Sequence, residues 1–158
     1  MTASVGERLD TAKMTWSRNL IILAMTVFLS RLGQGLFGGA SMNFQVDVLG
    51  LSGKQVLWLA GIREIPGLAL MLIAALIMHV SLSRRAAVSV LVMGVGYGLY
   101  AAVNSYTALI AAALVGSLGF HNWMPLQSSL GLALTKKEHS GRVLGTLASM
   151  GHDTWPLG

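Results

Sequence analysis

Four residues of this 158-residue chain lie where ionisable chemistry is costly: Arg31, Arg63, Glu64 and His121 all fall inside long apolar runs. A charge at the centre of a bilayer costs about 2.5–3.5 kcal/mol on insertion scales. Such groups persist in membranes because they pair, bind ligands or move protons. An arginine and a carboxylate can neutralise each other, and an unpaired arginine attracts an anionic group. A histidine titrates near neutral pH and can relay protons, or it can sit neutral against a backbone carbonyl. Gln34 lies one helical turn from Arg31 and adds an amide to the same interior. Around His121 stand Asn122, Trp123, Pro125, Gln127 and Ser128; His121, Pro125 and Ser128 share one helical face, Trp123 and Gln127 another.

Depth arithmetic suggests which charges meet. With Phe44 and Lys54 as the ends of two neighbouring spans, Arg31 lies 13 residues deep and Glu64 lies 10 deep. The offset is about 4.5 Å of helical rise, within reach of an arginine side chain. Spans joined by a short loop are expected to be adjacent and antiparallel, so an Arg31–Glu64 pair is predicted. It serves either to fix helix register or to line a substrate site. Arg63 is then left over, about 100° around the helix from Glu64. It either holds an anionic group, meets a carboxylate elsewhere, or snorkels to the headgroups.

Other chemistries are excluded by residue type. The chain has no cysteine, so disulfides, thiol redox and thiolate metal sites are ruled out. His79 and His121 lie at very different depths, against a shared haem or metal, and no Ser–His arrangement is present. The chain is read as not an enzyme, with no catalytic residue, metal or cofactor. The pI is about 10.1, but 11 basic residues are too few and too scattered for a nucleic-acid stripe.

The elements that must position these residues follow from composition. Hydrophobic residues make up 54% of the chain and charged residues 11%, with a mean hydropathy of +0.66. A soluble domain carries roughly 25% charged residues. From Ala86 to Thr135, 50 residues pass without one Asp, Glu, Lys or Arg. As a single helix they would run about 75 Å against a hydrocarbon core of about 30 Å. The run must fold back, and the turn-forming cluster is Asn104-Ser105-Tyr106-Thr107. The expectation is an all-α, polytopic transmembrane bundle. Residues 1–18 form a tail, four spans cover about 20–44, 56–80, 86–103 and 108–134, and residues 136–158 hold a loop and an incomplete fifth helix.

Within the second span, Gly61-Ile-Arg-Glu-Ile-Pro-Gly67 predicts an interruption, because Pro66 removes a backbone donor. Broken helices at mid-membrane are where transporters build sites, although a passive kink gives the same sequence. Gly35/Gly39, Gly94/Gly98 and Gly141/Gly145 each match the small-residue spacing of close helix packing. Eight Lys and Arg fall in the tail and in the loops after spans 2 and 4, while the other side has Lys54 alone. The asymmetry places the N-terminus in the cytoplasm of a multi-pass protein of the cell (inner or plasma) membrane. Span 1 begins too late and runs too long for a cleaved signal peptide.

In order of features the chain resembles the N-terminal part of a major facilitator superfamily transporter, over about residues 18–150. The resemblance rests on Leu51–Gly67, on Arg84 and Arg85 in the loop after span 2, and on Lys137–Gly145, where Glu138 precedes Gly141 and Arg142. Val80 stands where the family carries an Asp, and Ser83 replaces a Gly. The resemblance implies a truncated half of a twelve-span secondary transporter built from 3+3 inverted repeats. It implies transport of a small solute, proton coupling among the options, and the remaining helices as partners besides the lipid bilayer. Arg31, Gln34, Arg63, Glu64, His121 and Gln127 are the expected cavity residues, and such a fragment is expected to be inactive alone. The alternative is a stand-alone four-span protein acting as a homo-oligomeric scaffold or small transporter.

Overall fold

A computed structural model describes residues 16–150, and every regular element among them is helical. The order is α1 (Arg18–Asn43), a π-helical turn (Phe44–Val48), α2 (Gly53–Arg63), α3 (Ile65–Leu76) and α4 (Leu82–Leu99). A 3-10 turn (Tyr100–Ala102), α5 (Tyr106–Ala133), a second 3-10 turn (Lys137–His139) and α6 (Ser140–Ser149) complete it. Arg8 and Lys13 of the basic tail, and the segment from His152 onward, lie outside the described residues.

Serines start three of the helices. The Ser17, Ser52 and Ser105 hydroxyls accept from the backbone N–H groups of Leu20, Gln55 and Ala108. Ser52 also forms a capping box, its own N–H donating to Gln55 Oε1 at 2.9 Å. After α1, Gly50 adopts φ +64° and the Leu51 N–H closes onto the Gln45 carbonyl. A left-handed residue reverses the chain there at no Cβ cost. The neutral run breaks at Val103, Asn104 and Ser105, between α4 and α5.

Three helical segments are long and apolar enough to cross a membrane: Arg18–Val48, Leu82–Ala102 and Tyr106–Ala133. Leu36, Leu57, Leu68 and Leu72 are all exposed on the bundle exterior. That apolar surface is stable against lipid tails rather than water. The second of the expected spans is not one helix. It is α2 and α3, of 11 and 12 residues, interrupted at Glu64. Each is about 16–18 Å long, short of a ~30 Å hydrocarbon core. The cause is Pro66, which has no N–H to offer the Ile62 carbonyl. The Glu64 N–H turns back to Gly61 and Ile62 instead.

Paired contacts give the directions. Gln55 meets Tyr106, Arg63 meets Ser117 and Gly67 meets His121, so α2 and α3 run parallel to α5. Gly96 meets Gly116 and Met93 meets Gly119, so α4 and α5 are antiparallel. Gln34 meets Met93 and Phe37 meets Tyr97, so α1 runs parallel to α4. Helix α5 is the hub, touching α1, α2, α3, α4 and α6. The tightest crossing is with α4, where a Cβ on Gly96 would overlap the Gly116 backbone and one on Gly119 would overlap Met93. The expected packing glycines Gly39, Gly94, Gly98, Gly141 and Gly145 instead face no atom within 4 Å. Gly96 lies about 200° around the helix from Gly94, on the opposite face.

Two apolar clusters hold the bundle. One joins Leu20, Leu23 and Val27 of α1 to Met93, Trp123, Leu126, Val143 and Leu147. The other gathers Leu51, Leu59, Tyr100 and Leu109 at the opposite end. From the first cluster the Trp123 indole donates to the Ser30 hydroxyl at 3.1 Å, tying α5 to α1.

Candidate functional site

The helix break places Glu64 between α2 and α3, beside α5. There the Nε2 of His121 lies 3.5 Å from Glu64 Oε2, the one ion-pair contact among the described residues. Gly67 makes room for it, since a Cβ at that position would stand 3.0 Å from the imidazole Cε1 and Nδ1. The Phe120 ring meets the imidazole edge-on, centroids 5.3 Å apart. One turn before His121, the buried Ser117 hydroxyl donates to the Arg63 carbonyl. A second α5 side chain thus anchors the break through its backbone. The His121 side chain is 20% exposed and that of Glu64 is 69% exposed, so the pair opens toward one side of the bundle.

Arg63 forms no ion pair among the described residues, and its charge lies near the Tyr97 and Tyr100 phenols. Phe37 stacks on Tyr97 at 4.3 Å and meets Tyr100 edge-on at 4.6 Å. This aromatic group joins α1 to α4 beside the second half of the α1 span.

The predicted Arg31–Glu64 pair does not form. Arg31 is partly buried, and among the described residues no carboxylate approaches within 4.0 Å and its buried Nε has no hydrogen-bond partner. The expectation failed because α1 does not pack on α2 as its loop neighbour. Both dock on α5 through different faces: Trp123 contacts α1, while Ser117 and His121 contact α2 and α3. Trp123 and His121 are about 200° apart around the α5 axis. Gln34, partly buried, donates to the Met93 sulfur at 3.8 Å. Gln127 is buried about 9 Å along α5 from His121 and stays outside the pair.

The residues of the basic loops sit elsewhere. Arg84 is exposed and Arg85 partly buried in the first turns of α4, the Arg85 Nε again without a partner among the described residues. Gly141 and Arg142 are exposed at the start of α6. Ser117, Gly67 and the Ser30–Trp123 bond carry structural roles that no charge pattern announced. Ser117 had one visible signal, its i−4 position relative to His121.

The cluster therefore combines a carboxylate and an imidazole at a helix interruption, with a guanidinium on the adjoining turn. That set can take up or release a proton and change its net charge, or attract an anionic group. No three side chains that could share a metal ion converge among the described residues. In comparison with known proteins, no family model, curated sequence or solved structure matches this chain.

Proposed function

We propose that the chain moves a small solute across the membrane as part of a secondary transporter of the major facilitator type. The Glu64–His121 contact at the broken helix is the observation that carries this reading. Ionisable groups in membrane helices face water-filled cavities or other helices, and half-helices flank transporter sites. Glu64 is largely exposed on its own bundle, so its face is completed by further helices, by a second copy or by a water-filled cavity. In this reading the N-terminus is cytoplasmic, the cell membrane is the location, and Arg63 and Arg31 favour an anionic or zwitterionic solute.

The chain alone is expected to carry no flux, so the test is solute-evoked charge movement in proteoliposomes that hold the chain together with the helices that complete the transporter, with a panel of small organic anions and amino acids applied under an imposed pH gradient. Saturable currents that vanish in Glu64→Gln and His121→Gln support the proposal. Currents indifferent to both substitutions contradict it.

A second reading, a homo-oligomeric scaffold, is favoured by one observation: Gly94 and Gly98 of α4 share a small-residue face with no atom within 4 Å of where their Cβ atoms would stand. Crosslinking in membranes separates the two. A single defined oligomer supports the scaffold, and disordered aggregates support the fragment.

A further inference from the structure

At the end of the bundle where α4 begins, a cleft of about 480 Å³ lies between α4, α5 and the segment that follows α3. Val88 and Val92 of α4 and Leu118 of α5 give it apolar walls, with Ile77 and Val80 beside them. Arg84 and Arg85 also line it, and none of the residues lining it is acidic. The Nε of Arg85 is buried and has no hydrogen-bond partner among the described residues. The first turn of α4 points the same way. Its N-cap Ser81 makes no side-chain cap bond and no acidic residue lies in that turn. Uncapped N–H groups and the helix dipole both favour an anion there.

Helix α4 has membrane-crossing length, so its first turn stands at headgroup depth while Val88 and Val92 stand among acyl chains. Guanidinium groups at the interface and an apolar slot running inward match the two parts of a lipid. Basic pockets between membrane helices bind anionic headgroups in this way. A free phosphate would satisfy the arginines and leave the slot empty. We propose that this cleft binds an anionic phospholipid, its phosphate held by Arg84 and Arg85 and one acyl chain lying along Val88, Val92 and Leu118. The site stands apart from the transport reading and holds in either leaflet.

The full chain is reconstituted in phosphatidylcholine vesicles carrying a trace of spin-labelled phosphatidylglycerol or spin-labelled phosphatidylcholine, and the motionally restricted lipid is measured. Phosphatidylglycerol should be preferred, the preference falling about fivefold for each of Arg84→Gln and Arg85→Gln. Lys136→Gln with Lys137→Gln should leave it intact. Val92→Trp keeps both arginines, fills the slot and should abolish the preference; Val88→Trp repeats that test if the first variant fails to fold. Equal restriction of the two lipids overturns the proposal, as does a preference that survives either the combination of Arg84→Gln with Arg85→Gln or the filled slot. Loss of the preference on adding inorganic phosphate at constant ionic strength also overturns it, because the ligand would then be the free ion.

Discussion

The His121 imidazole sits on the bare backbone of Gly67 and reaches Glu64 across the α3–α5 contact, Nε2 to Oε2 3.5 Å. A glycine three residues past the carboxylate thus decides whether the histidine can approach it. Gly67→Leu should displace the ring and cost about 1–3 kcal/mol through overpacking. Gly67→Ala, at a contact of 3.0 Å, requires only a small shift of the imidazole. Thermal unfolding in detergent should rank wild type above Gly67→Ala above Gly67→Leu.

The glycines of α4 should divide sharply by face. Gly96→Ala places a methyl against the Gly116 backbone, where nothing flexible can yield. A loss of about 1–3 kcal/mol is expected from the α4–α5 crossing. Gly94→Ala and Gly98→Ala enter open space and should be neutral or raise stability by up to about 1 kcal/mol through helix propensity. Thermal melts of the three single variants check this. If a second copy covers the Gly94 face, that variant should instead weaken crosslinked oligomers.

Pro66→Ala restores a backbone donor where α2 and α3 part. The two helices should join, and amide exchange from Ile62 to Leu68 should slow. Transport, where it is observed, should fall while stability rises, because the break that holds Glu64 beside α5 is lost.

Trp123→Phe keeps the ring in the apolar cluster but removes the donor to Ser30. The expected cost is about 0.5–1.5 kcal/mol. Ser30→Ala in the Trp123→Phe background should add little more, which a double-mutant cycle measures.

Length and polarity made much of the helical architecture readable. Fifty uncharged residues cannot form one rod in a bilayer, and Asn104 and Ser105 sit where the chain turns. Pro66 between two glycines signalled the interruption, though not that it would leave two short helices. Depth along a helix follows from counting, but the direction a residue faces depends on which neighbour its helix selects. Arg31 and Glu64 were matched in depth and then separated, because α1 and α2 dock on different faces of α5. Glycine spacing had the same ambiguity. Gly94 and Gly98 share a face, yet Gly96 on the other side makes the crossing. The identity of a carboxylate's partner is a tertiary property, and Gly67, which settles it, reads in sequence only as a companion of Pro66.

Paired cysteines in membranes probe the arrangement at the helix break most directly. Glu64→Cys with His121→Cys should form one intramolecular crosslink with a short bifunctional thiol reagent, in the full chain and at low protein-to-lipid ratio. Arg31→Cys with Glu64→Cys should give none under the same conditions. Crosslinking of the second pair and silence of the first would contradict the placement of α2 and α3 against α5, and the site built on it.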